Sequence, residues 1–433
     1  MYKILTLLAL FLGGTLAAQP RTSTENRELP RGLTIACATA QEAAEGATTH
    51  RYRTPVEGWT TAEGRYTASF TVPFAWSNRQ VMLHVESVPT AWELRINGRR
   101  AAYDCDGNTP ADFNITRYVQ EGRNTVEIAP AAAWETSQLE SWKRTAVPQL
   151  GEVWLTSPAT MGIRDVLVRC DFIEGDRTAA RAEVDIVVKS HALNPRTSRI
   201  EYELFAPDNT PVFTGYEQLT LQMRGEDTVR FLTSIPDTLL WSAEHPQHYT
   251  LRLRTQHEGR YLEYLELPIG FRTVESDARG VRINGRDAAL KLREAAPTSS
   301  VAALQQLRAE GYNAIRLTPG AVAPHLYTTC DTIGLYVVAQ APIDTRSSGA
   351  SRRKGGNPSN DPAWQPFFAE RVANSFHTAK RHPSVIAFSI ADDSANGICL
   401  YEAYLQLKAL GDPRPVIYPA AAGEWNSDPF IVR

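Results

Sequence analysis

The sequence predicts a multidomain β plus α/β fold: a jelly-roll β-sandwich, an immunoglobulin-like β-sandwich and an incomplete (β/α) barrel of the TIM type. Three observations predict it. Short runs of β-forming residues separated by turns fill residues 19–158, and the same pattern returns in residues 159–273. From residue 274 to 433, helical patterns alternate with short apolar strands, which indicates parallel βαβ units. A chain of 433 residues has room for roughly two to four domains.

Residues 1–18 have the pattern of a secretory signal peptide. Lys3 precedes an apolar run that ends in small residues. We expect cleavage near Ala18 and Gln19, and a secreted, periplasmic or cell-envelope location. The run is shorter than a membrane span, and no later stretch of about 18 apolar residues follows, so no transmembrane segment is predicted.

The two sandwiches are predicted from strand and turn signals. In the first, Asn97-Gly98 and Glu121-Gly122 mark turns between short strands, as in a jelly roll. The expected strands there are 65–73, 81–88, 92–97, 125–129 and 152–156. The second region, about 115 residues long, suits an immunoglobulin-like sandwich. Its expected strands are 166–170, 182–189, 200–205, 227–233 and 249–255.

The last region alternates helices and strands. The expected helices are 301–310, 325–333, 364–381 and 398–411. The expected strands are 288–292, 313–316, 335–339, 385–390 and 415–418. A closed barrel needs eight strands and about 250 residues. This region has roughly 160 residues and about five strands, so we expect an open half barrel.

Composition excludes several classes of function. The formal net charge is −3, so the chain has no basic footprint for nucleic acid. No glycine-rich phosphate loop and no metal-ligand spacing occurs, so neither cofactor nor metal is predicted. The cysteines are odd in number and scattered, which gives no disulfide framework but leaves open one bridge among the first three. They are Cys37, Cys105, Cys170, Cys330 and Cys399.

Three groups of motifs follow one another along nearly the whole mature chain. They are 97–98 with 109–116 and 121–124; 240–246 with 249–251 and 270–272; and 311–316, 330–331, 334–338, 381–386 and Ser389. In this order and spacing they resemble the family 2 glycoside hydrolases, the β-galactosidase and β-glucuronidase group. The resemblance implies a sugar-binding jelly roll, a sandwich and a catalytic barrel, without by itself establishing activity.

The resemblance assigns Asp392 and Asp393 to the catalytic region. Retaining glycoside cleavage needs two carboxyl groups about 5–5.5 Å apart. The family's acid/base glutamate follows an asparagine; here Asp393 stands at the glutamate and Asp392 at the asparagine. Asp393 is one methylene shorter, and a misplacement of about 1 Å can cost about a hundredfold in rate. A solvated acidic turn after a strand is the plainer interpretation of this pair.

Other expected pocket residues have changed. The family's nucleophile lies on a later strand than this chain contains, and Glu424 comes too early to match it. Arg316 is retained, either for the pocket or as a buried structural arginine. Gln340 stands where an Asp-Glu-Ala-Asn pattern is expected, and Arg346 replaces a histidine. In the jelly roll, Thr136 takes the place of a sugar-contacting aspartate. The concerted change predicts that no residue is catalytic and that Asp393 is vestigial.

The loop of residues 346–360 carries four basic residues among glycines and serines. They are Arg346, Arg352, Arg353 and Lys354. Such a loop could clamp an anionic glycan or a partner protein, although a solvated loop is the simpler interpretation.

Three functions remain open. The first is a non-catalytic pseudoenzyme, a carbohydrate- or protein-binding scaffold of the bacterial envelope. The second is an active β-glycosidase that uses Asp393 as acid/base and a nucleophile from elsewhere, such as a partner chain. The third is a degenerating gene product. An open parallel sheet must be covered at its edge, so we expect a protein partner, a homo-oligomer or the tail of residues 420–433 there.

Overall fold

The computed structural model of the chain describes residues 21–24, 27–28, 36–47, 49, 51–131, 136–142, 149–173, 175–353 and 355–431. The leader and its cleavage site lie outside these residues, so export stays a prediction. Within the described ranges, no helix is long and apolar enough to cross a membrane.

The first domain is a sandwich of two five-stranded sheets, ordered β1-β8-β5-β10-β2 and β3-β4-β9-β6-β7. Its strands are β1 (Arg27–Glu28), β2 (Arg53–Pro55), β3 (Thr60–Ala62), β4 (Arg65–Thr71), β5 (Met82–Val85), β6 (Trp92–Ile96), β7 (Arg99–Asp104), β8 (Ala111–Asn114), β9 (Arg123–Pro130) and β10 (Val153–Thr156). Alternate residues point inward, and Trp92 packs edge-on against Phe113 at 5.2 Å between ring centroids. The predicted sandwich is confirmed, with β1, β2, β3, β7 and β8 as strands that the sequence did not indicate.

The second domain is also a sandwich, with sheets ordered β11-β12-β15 and β14-β13-β16-β17. Its strands are β11 (Met161–Ile173), β12 (Asp176–Ser190), β13 (Arg196–Phe205), β14 (Pro211–Leu221), β15 (Glu226–Pro236), β16 (Tyr249–His257) and β17 (Arg260–Ile269). Helix α1 (Ala40–Glu45), capped by the Thr39 side chain, packs against β17. Phe231 stacks on both Tyr202, at 4.9 Å, and Phe213, at 5.0 Å, which joins the two sheets.

A small antiparallel sheet links this sandwich to the barrel, and it corrects one prediction. Its strands are β18 (Val274–Asp277), β19 (Gly280–Ile283) and β20 (Arg286–Asp287). The first barrel strand was expected at residues 288–292, but it is β21 (Leu292–Ala295). Leu290 is buried against Val281 and Ile283 of the linking sheet. The apolar run therefore fills this small core instead of forming a strand.

The third domain is a five-stranded parallel sheet whose strands follow chain order, with four helices in the connections. Its elements are β21, α2 (Val301–Ala309), β22 (Ala314–Leu317), α3 (Leu326–Ile333), β23 (Tyr336–Gln340), α4 (Gln365–Ala379), β24 (Val385–Ser389), α5 (Ile398–Lys408) and β25 (Val416–Ile417). The predicted α/β half barrel is confirmed. Gly334 ends α3 at φ 75°, a left-handed conformation that favours glycine. A Cβ at this position would also lie 2.1 Å from the Ala243 carbonyl oxygen, so no larger residue fits.

Residues 426–431, which we name the strap, cover the open edge beside β25. The Asp428 amide donates to the Val416 carbonyl at 2.8 Å, and the Asp428 carboxylate accepts from the Val416 amide at 2.8 Å. Phe430 packs on the inner face of the sheet, against Val338 and Ala387. The chain's own tail thus occupies the edge, while a partner or homo-oligomer there stays a prediction.

Buried ion pairs connect the barrel domain to both sandwiches. Arg371 on α4 has no exposed surface and donates to the Glu140 carboxylate at 2.7 Å and the Pro342 carbonyl at 2.8 Å. Lys380 pairs with Asp165 of the second sandwich. All five cysteines are buried and free, so the bridge left open among the first three does not form.

Candidate functional site

The carboxyl ends of the barrel strands form one face, which we call the mouth. Arg316 near the end of β22, Gln340 at the end of β23 and Ser389 at the end of β24 reach this face. Asp392 and Asp393 lie in a bend, three and four residues after Ser389. In barrels of this type, side chains at the carboxyl ends of strands perform binding and chemistry. The structure therefore brings the predicted residues to the expected end of the sheet.

Asp392 is held between two arginines. Arg346 donates to one carboxylate oxygen at 2.8 Å, and Arg316 lies 3.5 Å from the other while also bonding Glu294 at 2.6 Å. Burial raises the pKa of Asp392, and the two guanidinium groups oppose that rise. Arg316 is only partly buried, with 23% of its side chain exposed. It therefore bridges two acidic groups at the mouth.

Asp393 is exposed, and its carboxylate makes no hydrogen bond or ion pair with any residue that the structure describes. Only its backbone is fixed, through the Thr345 amide, which donates to the Asp393 carbonyl at 3.1 Å. A general acid must be aimed at the leaving oxygen. No described contact aims the Asp393 side chain, as expected of a solvated acidic turn.

Gln340 presents a buried hydrogen-bond acceptor at the mouth. The side chain is 2% exposed, and its amide nitrogen donates to the Ala341 carbonyl at 3.0 Å. Its Oε1 atom has no hydrogen-bond partner within the described part of the chain. A buried acceptor without a partner costs roughly 1–3 kcal/mol.

A loop of the first sandwich reaches the mouth. The Asp344 amide donates to the Leu139 carbonyl at 2.8 Å, and the Ser141 amide donates to the Asp344 carbonyl at 2.9 Å. Thr136, at the expected sugar-contact position, is 1% exposed. Residues 132–135, which include part of the motif around it, lie outside the described residues.

Two arginines of the basic loop, Arg346 and Arg352, form ion pairs. Asn357 is buried and bonds Thr345 and Gly349, which fixes the loop's ends. Arg346 binds Asp344 at 2.8 Å as well as Asp392. Arg353 is exposed, and Lys354 lies outside the described residues.

Glu424 belongs to a second cluster beside the mouth. Its carboxylate bonds Arg352 at 2.7 Å and accepts from the Tyr401 hydroxyl. Both oxygens are engaged, which does not suit a free nucleophile. No signal in the sequence joined these residues, which are up to 72 positions apart. Across the described ranges, no group of three or more His, Cys, Asp or Glu residues could hold a metal ion.

Family models match all three domains in order. The sugar binding domain of glycosyl hydrolases family 2 matches residues 52–143, a second family 2 domain matches 162–272, and the family's TIM barrel domain matches 289–430. The chain belongs to glycoside hydrolase family 2.

Curated relatives of this family 2 chain are considerably longer. A β-galactosidase of Priestia megaterium is 26% identical over 377 residues, which cover 82% of this chain and 36% of that protein. A β-galactosidase of Psychromonas ingrahamii is 25% identical over 393 residues, covering 85% and 37%. The chain thus spans about 36% of the length of these relatives.

Solved structures of low identity share the fold. A β-glucuronidase of Bacteroides uniformis, covalently bound to cyclophellitol-6-carboxylate aziridine, matches with TM-score 0.69 and 17% identity over 82% of this chain and 46% of that one. A β-glycosidase of Bacteroides vulgatus matches with TM-score 0.68 and 22% identity over 83% and 46%.

The motif residues Asp331, His382 and Ser384 of this family 2 chain have a structural role. They lie at the opposite end of the sheet from the mouth. His382 bonds the Asp331 carboxylate at 2.5 Å, and the Ser384 amide donates to the same group at 2.9 Å. Trp241 donates to the Asp331 carbonyl at 3.0 Å. Burial raises the pKa of Asp331, but His382 and the Ser384 hydrogen bonds outweigh it and lower the pKa. These contacts of Asp331 therefore hold α3 against the start of β24.

Proposed function

We propose that this family 2 chain is a non-catalytic carbohydrate-binding protein that takes a sugar at the mouth. The state of the acidic pair is the observation that carries the proposal. Asp392 is paired with Arg316 and Arg346, and Asp393 is exposed without a partner among the described residues. Retaining hydrolysis needs two carboxyl groups with opposed roles across one bond. Neither aspartate is placed for either role.

The same surface retains features that suit a sugar. Arg316 and Arg346 present N–H donors, and the buried Gln340 offers an unused acceptor. The loop at Leu139 and Ser141, from the domain that matches the family's sugar binding model, closes one side. A few convergent polar groups are typical of small-molecule binding sites.

We expect saturable binding without turnover. Purified protein should bind methyl β-galactoside, β-glucuronide or β-mannoside in a calorimetric titration, yet release no chromophore from the corresponding aryl glycosides. Gln340→Leu should weaken binding by about tenfold, because a hydroxyl would lose its buried acceptor. Turnover that vanishes in Asp393→Ala but survives in the exposed control Asp287→Ala would establish the alternative, an active β-glycosidase with Asp393 as its acid.

A location in or beyond the bacterial envelope is part of the proposal, supported by Lys3, the apolar run and the small residues of the leader. N-terminal sequencing of exported protein should begin near Gln19. Exported protein that still carries Met1 would contradict this expectation.

A further inference from the structure

Trp425 is a large aromatic residue that the fold holds at the surface, beside the mouth. It is 58% exposed, although a single exposed apolar side chain needs no explanation by itself. Its ring stacks on Tyr401 at 5.0 Å between centroids and meets Tyr404 edge-on at 5.9 Å. One side of the indole is therefore supported by aromatic packing while much of the ring stays accessible.

The backbone around Trp425 is also fixed. The next residue, Asn426, is fully buried and exchanges two amide hydrogen bonds with Asn396, at 3.0 and 2.8 Å. Asn396 lies in the segment that leads from Asp393 into α5. The ring is thus anchored to the same loop that carries the acidic pair of the mouth.

A polar rim accompanies the ring. Arg352 bonds Glu424 at 2.7 Å, and both bond the Tyr401 hydroxyl. The Arg352 and Glu424 side chains are 50% and 35% exposed, so their remaining donors and acceptors can reach a ligand. The Trp425 ring supplies a flat apolar surface, and Arg352 and Glu424 supply fixed hydrogen-bonding groups at its side.

The cluster is continuous with the mouth through Tyr418, whose hydroxyl donates to the Ser394 carbonyl. Burial raises the pKa of Tyr418, the charges of Asp393 and Asp392 add to that rise, and Arg352 opposes it. The Tyr418 side chain, which is 1% exposed, therefore lies near charged groups of both the mouth and the rim. Together with the Asn396–Asn426 hydrogen bonds, it places Trp425 beside the mouth.

We propose that Trp425, Arg352 and Glu424 form an outer binding position for a further pyranose ring of an oligosaccharide whose end lies in the mouth. A pyranose has an apolar C–H face and a rim of hydroxyl groups. The face matches the indole, and the hydroxyls match the charged pair. This inference rests on the proposed function, since the mouth must take the terminal sugar.

The test compares a short ligand with a long one by calorimetric titration. Methyl β-galactoside reports the mouth alone, and β-1,4-galactotetraose reports the mouth and the outer position; glucose and mannose pairs extend the comparison. Trp425→Ala should weaken tetrasaccharide binding by about tenfold and leave the methyl glycoside unchanged, whereas Trp425→Phe should keep most of the affinity. Phe74→Ala, at another exposed aromatic residue, is the control and should change neither.

The outcomes separate the two proposals. Absence of all saccharide binding by the unaltered protein overturns the proposed function and this inference with it. Binding of both ligands that is equal in strength and insensitive to Trp425→Ala overturns the inference alone. If Trp425→Ala instead changes the oligomeric state seen by light scattering, without changing tetrasaccharide affinity, the ring is a protein contact and the inference is wrong.

Discussion

Replacing Arg371 with methionine should destabilise the protein by about 3–5 kcal/mol, because removing one partner of a buried ion pair leaves the other charge uncompensated. Arg371 is fully buried and donates to Glu140 at 2.7 Å. The Asp106 carboxylate lies 3.9 Å from its guanidinium group. Both acidic groups belong to the first sandwich, so the loss should loosen that domain from the barrel.

Urea unfolding followed by tryptophan fluorescence measures the effect. Arg353→Met is the matched control, since Arg353 is exposed and its side chain has no hydrogen bond or ion pair within the described residues. Adding Glu140→Gln to Arg371→Met should recover part of the lost stability, because the uncompensated carboxylate is then gone. Equal unfolding midpoints for Arg371→Met and Arg353→Met would show that this contact does not hold the domains together.

Ending the chain after Pro419 should lower the free energy of unfolding by about 3–6 kcal/mol and promote association. Burial of Phe430 contributes up to about 1.5–3 kcal/mol, and each lost hydrogen bond to β25 about 0.5–1.5 kcal/mol. The truncation also uncovers Val338, Ala387 and Ile417 together with the backbone groups of Val416. An exposed apolar sheet edge favours pairing with other chains.

Light scattering and urea unfolding of the truncated protein check this, beside a control that lacks only residues 432–433. Phe430→Ala should fall between the two. A truncated protein that stays monomeric and unfolds at the control's urea concentration would mean that the strap contributes nothing.

Local sequence patterns predict most of the helices and strands of the barrel domain. The helix predicted at 301–310 is α2, Val301–Ala309, because Ser300 caps it and its apolar positions recur at helical spacing. The strand predicted at 335–339 is β23, Tyr336–Gln340, whose five residues are all buried. A strand buried on both faces is mostly apolar, as the run of Val337, Val338 and Ala339 is here, so its sequence reveals it.

Strands with mixed surfaces were harder to predict. β14 is largely exposed and carries Gly215, whose missing side chain makes room for the Tyr202 ring. β17 places Glu263 at a buried position, where burial raises the pKa of its carboxyl to about 7. A charged residue in the core breaks the apolar alternation by which a strand is recognised.

The placement of four residues at the carboxyl edge of the sheet was predicted, but their contacts were not. Arg316, Gln340, Asp392 and Asp393 follow from motif order and strand ends. The pairing of Arg346 with Asp392 joins residues 46 positions apart, and only the folded chain reveals it. Such contacts decide that the Asp392 side chain is held by arginines while the Asp393 side chain is exposed to solvent.

The position of the strap in the sequence also affects how the barrel domain folds during synthesis. The barrel strands are synthesised in the order in which they pair, so each new strand becomes the sheet's edge until the next one emerges. The strap comes later than the strands that the structure describes, and synthesis proceeds at about 5–20 residues per second. The parallel sheet therefore keeps an uncovered edge at β25 until residues 426–431 have been synthesised. A cell that makes this protein must keep the unfinished chain apart from its neighbours over that interval.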